Sequence, residues 1–238
     1  GSFMIGDALP ITVTFSEVIN VVTTNGTPTL TLETGTNDAA VTYASGTGTN
    51  TLTFNYTVAE GHASSDLDYV ATSSLALNSG TMKDGVGNDA TLTLASPGAT
   101  NSLGANKALV IDGVVPTVTN VTATNNDGYF KADDVIGITV TFSEVINVVT
   151  TNGTPRLTLE TGTNDAVVNY TSGTGTNTLT FNYTVASGHT SSDLDYVGTS
   201  SLALNSGTIK DGAGNNATLT LASPSATNSL SANKALIV

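Results

Sequence analysis

The stretch L-T-F-N-Y-T-V at residues 179–185 alternates apolar and polar side chains without interruption, and the identical stretch occurs at residues 52–58. A period of two with β-branched and aromatic residues is typical of a half-buried β-strand. The same alternation predicts further strands at residues 11–15, 30–32, 92–94, 138–142, 157–159 and 219–221. Turn-forming segments rich in Gly, Asn and Pro lie between them. We therefore predict an all-β protein without an amphipathic helix of useful length, in which residues 200–205 could hold a short helical turn.

A long internal repeat divides the chain. Residues 11–111 align without a gap on residues 138–238 and differ from them at only 14 of 101 positions. This length matches a whole domain rather than a solenoid unit, so we predict two tandem domains, residues 1–112 and 113–238. About seven or eight strands per domain favour a two-sheet sandwich with Greek-key connections. A closed barrel is the alternative.

The first domain is predicted to lack one strand. Residues 115–123, the expected first strand of the second domain, have no counterpart before the first repeat. The neighbouring strand of the first domain should therefore have an unpaired edge, and such edges recruit other strands. We expect residues 2–9 or a neighbouring molecule to cover this edge, or the edge to be locally disordered.

The two domains are joined by K-A-L-V-I-D-G-V-V-P-T-V-T at residues 107–119. A last strand is predicted at residues 109–111, and a new extended run begins at Val115-Pro116. Gly113 frees the backbone between them while Pro116 stiffens it. The joint is therefore expected to be a short hinge with limited travel, and it carries a carboxylate, Asp112, where the two domains meet.

The charge balance excludes several classes of partner. The 238 residues include 6 Lys and Arg against 19 Asp and Glu, for a net charge of −13. Binding to nucleic acid or to an anionic membrane surface needs clustered cations, and no apolar run is long enough to insert into a bilayer. We find no catalytic triad or nucleophile motif, so we expect neither an enzyme nor a small-molecule substrate. We expect a monomer.

The excess of carboxylates favours a bound cation. Acidic side chains without basic partners must stay in water, be protonated or bind cations. If strands alternate evenly in direction, five carboxylates converge at the joint, namely Asp66, Asp68, Asp112, Glu144 and Asp211. Calcium takes six to eight oxygen ligands, so this set is a candidate calcium site. Solvated acidic strand ends are the alternative for Asp66 and Asp68.

Further carboxylates are weaker candidates for calcium ligands. Asp7 is placed at the same pole as Asp66, and Glu17 and Asp84 are the first-repeat counterparts of Glu144 and Asp211. At the far pole of the second domain we group Asp127, Asp133, Asp134, Asp193 and Asp195. Exposed strand ends remain the alternative for both Glu residues. An Asx turn is the preferred interpretation of Asp84 and Asp211.

Several motifs make the chain resemble a known family. They are F-S-E-V at 142–145, G-T-P-x-L-T-L-E at 153–160, S-D-L-D-Y-V at 192–197, S-L-A-L-N-S-G-T-I-K-D-G-A-G-N at 201–215 and N-K-A-L-I-V at 233–238. The chain resembles the immunoglobulin-like tandem extender repeats of giant bacterial surface adhesins of the repeats-in-toxin type. The resemblance implies two immunoglobulin-like Greek-key β-sandwich domains at the bacterial cell surface, with neighbouring repeats of the same chain as partners. It also implies calcium at and near domain junctions, which stiffens a stalk that supports adhesion or biofilm formation.

The rival function is a glycan- or surface-binding sandwich module, including an ice-binding one. Rows of Thr could form such a face, but alternating Thr is also the ordinary outer face of a sandwich. The chain has no Trp, and Phe142, Phe181, Tyr183 and Tyr196 share the core phase of their strands. We therefore prefer the spacer function.

Overall fold

A computed structural model describes all 238 residues. The chain forms two compact units, Gly1–Val114 and Val115–Val238. Both are almost entirely β-structure with sandwich-like sheets. The two helices are single turns of four residues each, and neither is long and apolar enough to cross a bilayer.

Unit 1 contains nine strands and one helix. They are β1 (Ser2–Met4), β2 (Ala8–Val22), β3 (Thr29–Leu32), β4 (Ala39–Ser45), β5 (Thr49–Thr57), β6 (Ala63–Ser64), β7 (Leu75–Ala76), β8 (Thr81–Lys83), α1 (Leu103–Asn106) and β9 (Val110–Asp112). Six strands form one sheet in the order β7-β3-β4-β5-β2-β8. The remaining three form a second sheet in the order β1-β9-β6.

Unit 2 repeats this arrangement with one strand more. Its elements are β10 (Val118–Ala123), β11 (Gly128–Tyr129), β12 (Val135–Val149), β13 (Arg156–Glu160), β14 (Ala166–Ser172), β15 (Thr176–Thr184), β16 (Asp195–Tyr196), β17 (Leu202–Ala203), β18 (Thr208–Lys210), α2 (Leu230–Asn233) and β19 (Leu236–Ile237). The main sheet runs β10-β12-β15-β14-β13-β16, with β18 also on β12 and β17 also on β13. Strands β11 and β19 pair in parallel.

The long strands β2 and β12 each change partners midway. Strand β12 pairs with β15 up to Thr141 and, after a register shift, again at Ile146; it pairs with β18 from Asn147 onward. Strand β2 does the same with β5 and β8, with its register shift between Thr14 and Ile19. Irregular pairing of this kind bends a strand and redirects its side chains. The F-S-E-V motif lies within this shift in both units.

Each unit has its own apolar core built from the inward residues of the alternating strands. The aromatic residues predicted to be in core phase are buried, with Phe142 and Phe181 at most 1% exposed. Tyr183 and Tyr196 are also buried, and the hydroxyl of Tyr196 donates to Ala222 O at 2.7 Å. The alternation of the sequence therefore identified these four aromatic core residues correctly.

Two details of the predicted elements were wrong. Residues 200–205 contain β17 rather than a helical turn, whereas the helical turns are α1 and α2, each capped by a Ser at its N-terminus. Residues 92–94 and 219–221 alternate but form no strand. Their backbone hydrogen bonds are isolated, such as those from Leu94 N to Thr72 O and from Leu221 N to Thr199 O, both at 2.9 Å. A period-two pattern indicates that one face of an extended segment is buried. Such a segment is not a strand unless its backbone also pairs with a neighbouring strand.

The strand predicted to be missing from the first domain is indeed present only in unit 2. There β10 pairs antiparallel with β12. In unit 1, β2 pairs only with β5 and β8. Residues Ser2–Met4 do not cover the vacant edge, because they pair with β9 just as β11 pairs with β19.

Candidate metal centre

Glu144 lies within the register shift of β12, between its pairings with β15 at Thr141 and at Ile146 and before its pairing with β18 at Asn147. Three residues later, Asn147 pairs with Lys210, so the loop after β18 starts beside this part of β12. Glu144 is half-buried, and its Oε1 atom is inaccessible to solvent. It is thus not the end of an exposed strand. The register shift of β12 and its pairing with β18 place this carboxylate close to that of Asp211.

Asp211 organises that loop. Its Oδ1 accepts hydrogen bonds from Gly214 N at 2.6 Å and Asn215 N at 2.9 Å, and its Oδ2 accepts one from Asn215 Nδ2 at 2.7 Å. Such bonds make the predicted Asx-type turn. Asp211 is only 4% exposed. The turn therefore fixes a carboxylate in a buried position.

Three carboxylates come together at this place. The carboxylate oxygens of Asp112, Glu144 and Asp211 lie within 4.8 Å of one another. Asp112 is the last residue of β9, and its Oδ1 also accepts a hydrogen bond from Val114 N at 3.2 Å. These three residues are among the five carboxylates that the sequence placed at the joint, and they form a group that could hold a metal ion.

This group has the chemistry of a cation site. Two unit charges at this separation repel by roughly 3.5 kcal/mol at an effective dielectric constant of about 20. A bound divalent cation would replace that repulsion with attraction. Carboxylate oxygens are hard ligands of the kind that calcium, magnesium and manganese prefer, whereas zinc sites usually include His or Cys. The three residues could therefore hold a metal ion.

The counterparts in unit 1 are more open. Glu17 is exposed and Asp84 is half-buried. The Asp84 carboxylate accepts the same turn bonds, from Val86 N, Gly87 N, Asn88 N and Asn88 Nδ2. Hydrogen bonds from the Asn88 side chain and then from the backbone outweigh desolvation and lower the pKa of Asp84. The Asp84 carboxylate thus closes an Asx-type turn, which was the interpretation preferred from the sequence.

Asp66 and Asp68 do not join the three-carboxylate group, which corrects the expected convergence of five. The Asp68 carboxylate accepts hydrogen bonds from Tyr69 N and Gly98 N, both at 2.9 Å, inside unit 1. Burial opposes its ionisation, but bonds from these amides, the Ser102 side chain and Gly104 N outweigh it and lower the pKa. Asp66 Oδ1 accepts only a long bond from Leu109 N at 3.4 Å. The two carboxylates instead accept hydrogen bonds from residues around α1.

Asp195 has the equivalent position in unit 2. Its carboxylate accepts hydrogen bonds from Tyr196 N, Ser225 N and the hydroxyl of Ser231. Asp193, like Asp66, is exposed. The sequence analysis missed this structural role because it did not predict the Ser-capped helical turns. The S-L-x-A-N segments at residues 102–106 and 229–233 were the available signal, since Ser is a favoured N-cap.

The remaining candidates are turn residues or surface residues. Asp7 accepts a hydrogen bond from Met4 N at 3.0 Å, and Asp134 accepts one from Lys131 N at 2.9 Å. Each carboxylate therefore closes the equivalent turn in its own unit. Asp127 accepts from Ala235 N at 3.1 Å. Asp133 is exposed and has a φ of 76°, in the left-handed region. None of them belongs to a group of three possible metal ligands.

The sequence matches neither a profile of a known protein family nor any curated protein.

Proposed function

We propose that the chain is a pair of immunoglobulin-like extender repeats from a large bacterial cell-surface adhesin. In this proposal the repeats are spacers that hold an adhesive region away from the cell and thereby support adhesion or biofilm formation. Near-identity of the repeats fits this role, because a spacer needs length and does not need a distinct pocket in each copy. The family resemblance of the motifs points the same way.

The observation that carries the proposal is the group formed by Asp112, Glu144 and Asp211. We propose calcium as the ion it binds. Calcium accepts irregular, oxygen-only sites and completes its shell with carbonyl groups and water. Magnesium demands near-octahedral geometry and keeps most of its waters. A chain with 19 acidic and 6 basic residues also has few cations with which to neutralise such a group.

Calcium bound by Asp112 would couple the end of β9 to the second repeat. Asp112 lies three residues before Val115, where the second compact unit begins. An ion that takes ligands from the joint and from the folded repeat would reduce the freedom of the backbone at Gly113. The proposed consequence is a stalk that is stiff in calcium and more flexible without it.

Burial of the aromatic residues favours the spacer over a glycan-binding module. The six bulkiest fully buried side chains are all aromatic, three Tyr and three Phe. Sugar-binding platforms generally need such rings at the surface. Apart from Tyr129, which is 84% exposed, the aromatic side chains of this chain lie in the cores or pack against them.

Calorimetric unfolding in calcium, magnesium and chelator tests the proposal. Binding to the folded state alone should add about 2.7 kcal/mol of stability at a hundredfold excess of calcium over its Kd. Glu144→Gln should abolish most of this gain, whereas the matched variant Glu17→Gln in the first repeat should retain it. Equal unfolding temperatures in calcium and in chelator would refute the calcium site.

A further inference from the structure

The loop at residues 59–62, here called the His62 loop, binds the backbone of the residue that follows Asp112. Gly113 N donates a hydrogen bond to His62 O at 2.7 Å, and Gly61 N donates one to Gly113 O at 2.8 Å. Gly113 is buried, whereas Val114 is 44% exposed. The backbone is therefore held by the His62 loop up to Gly113.

This contact requires glycine at position 113. A Cβ added there would collide with Ala59 O and would lie 2.9 Å from His62 O, and both are backbone atoms. The φ angle of Gly113 lies outside the left-handed region. The reason for glycine is therefore the close approach of two backbone segments. Any larger residue would have to push the His62 loop away.

The imidazole ring of His62 organises the loop from within. Ala59 N donates to His62 Nδ1 at 3.3 Å, and His62 N donates to Ala59 O at 3.1 Å. Because a backbone amide can only donate, Nδ1 is an acceptor, and the Tyr56 hydroxyl 3.0 Å away donates to it as well. The rings of Tyr56 and His62 stack with centroids 5.8 Å apart and planes 18° apart. The His62 side chain thus fixes the loop that binds Gly113.

Unit 2 builds an equivalent loop at residues 186–189. Ala186 N donates to His189 Nδ1 at 3.4 Å, and the Tyr183 hydroxyl donates to the same atom at 2.8 Å. The Tyr183 and His189 rings stack with the same centroid distance and an angle of 19°. The shape of the loop is therefore a property of each repeat, and His189 provides a matched control in the unit that does not contain Asp112.

The His62 loop acts on the Asp112 carboxylate through the backbone. Asp112 pairs with Met4 of β1 on one side and with Ala63 of β6 on the other. Its Oδ1 accepts the hydrogen bond from Val114 N at 3.2 Å. A bond from a carboxylate to the amide two residues ahead is of the Asx-turn type, and it depends on the torsion angles of the residue between them. That residue is Gly113, so fixing its backbone also fixes the direction of the carboxylate.

We propose that the His62 loop is a positioning element that presents the Asp112 carboxylate to calcium and thereby sets the calcium affinity. The inference rests on the proposed calcium site. His62 supplies no ligand to the ion and acts through Gly113. Groups that orient a metal ligand without touching the metal change its affinity by about 10–100-fold when they are removed. A carboxylate that is oriented before the ion arrives loses less conformational freedom on binding.

Hydrogen exchange in chelator tests the His62 loop without any ion. The Gly113 amide should exchange slowly in the wild-type chain, because it is buried and donates to His62 O. His62→Ala removes the Nδ1 acceptor and should speed this exchange about tenfold. His62→Asn keeps an acceptor near the position of Nδ1 and should restore most of the protection. Fast exchange at Gly113 in the wild-type chain would overturn the inference.

Calcium titration calorimetry of the same full-length variants tests the positioning role. The calcium Kd should rise about tenfold in His62→Ala and at least as much in Gly113→Ala, and it should stay near the wild-type value in His62→Asn. His189→Ala should leave the Kd unchanged.

The outcomes separate the inference from the function on which it rests. If the wild-type chain binds calcium and both His62→Ala and Gly113→Ala bind it equally well, the positioning role is wrong and the calcium site stands. An equal rise of the Kd in His189→Ala also overturns the positioning role, because the effect would then follow from lost stability in general. If the wild-type chain binds no calcium, the proposed function fails and the positioning role fails with it.

Discussion

Unit 2 has a hydrogen bond that Gly104→Ser should introduce into unit 1. The hydroxyl of Ser231 donates to Asp195 Oδ2 at 2.6 Å. The equivalent residue in unit 1 is Gly104, and a Cβ added there would lie 3.0 Å from Asp68 Oδ2 and 3.6 Å from Asp66 Oδ2. Unit 2 accommodates Ser at the same place in the same helical turn, so a small shift of the carboxylate should suffice.

We expect Gly104→Ser to raise the free energy of unfolding of unit 1 by about 2 kcal/mol. A hydrogen bond to an ionised group contributes about 1.5–3 kcal/mol, and replacing Gly by Ser within a helix contributes about 0.5 kcal/mol. The displaced carboxylate reduces the total, because the 3.0 Å approach requires it to move. For a domain of roughly 100 residues, about 2 kcal/mol should raise the unfolding temperature by about 8 °C.

Differential scanning calorimetry of the full chain measures this change. Gly104→Ala is the control, since it improves helix propensity by about 1 kcal/mol but adds no hydroxyl. In unit 2, Ser231→Ala should lower the free energy of unfolding by about as much as Gly104→Ser raises it in unit 1. The reasoning is refuted if Gly104→Ser is no more stable than Gly104→Ala.

Three further outcomes are expected. Asp133→Gly should stabilise unit 2 by about 1 kcal/mol, because φ is 76° at Asp133 and 90° at its counterpart Gly6; thermal unfolding should show no gain if this backbone is unstrained. Asp68→Asn should cost about 2 kcal/mol at pH 7. Because the folded-state pKa of Asp68 is lowered, this stabilisation is present above the ordinary value of 3.8 and is lost as the pH falls through the folded pKa; denaturant titrations should therefore show the two proteins converging in acid, and a constant difference would contradict the assignment. Asp112→Asn should weaken calcium binding measured by titration calorimetry while leaving the circular dichroism spectrum unchanged, and an unchanged affinity would remove Asp112 from the site.

The alternating patterns of the sequence were sufficient to predict most of the fold. Strand β15 and the pairs of strands around it follow from unbroken alternation, because one face of each strand must be buried. The offset between the repeats also predicted that unit 1 lacks the counterpart of β10. These features depend on local periodicity and on self-comparison, both of which can be read directly from the chain.

The candidate site required tertiary structure. Glu144 and Asp211 are 67 positions apart, and they meet because the register of β12 shifts between Thr141 and Ile146 and its last residues pair with β18. Strand β18 has only three residues, so no periodic signal identifies its partner. Asp68 matched the sequence pattern of a calcium ligand as well as Asp211 did. Its carboxylate is instead hydrogen-bonded within unit 1, because the chain folds the loop around Gly98 and the cap of α1 onto it. A carboxylate's role depends on which donors or charges surround it, and only the three-dimensional packing of distant segments decides those neighbours.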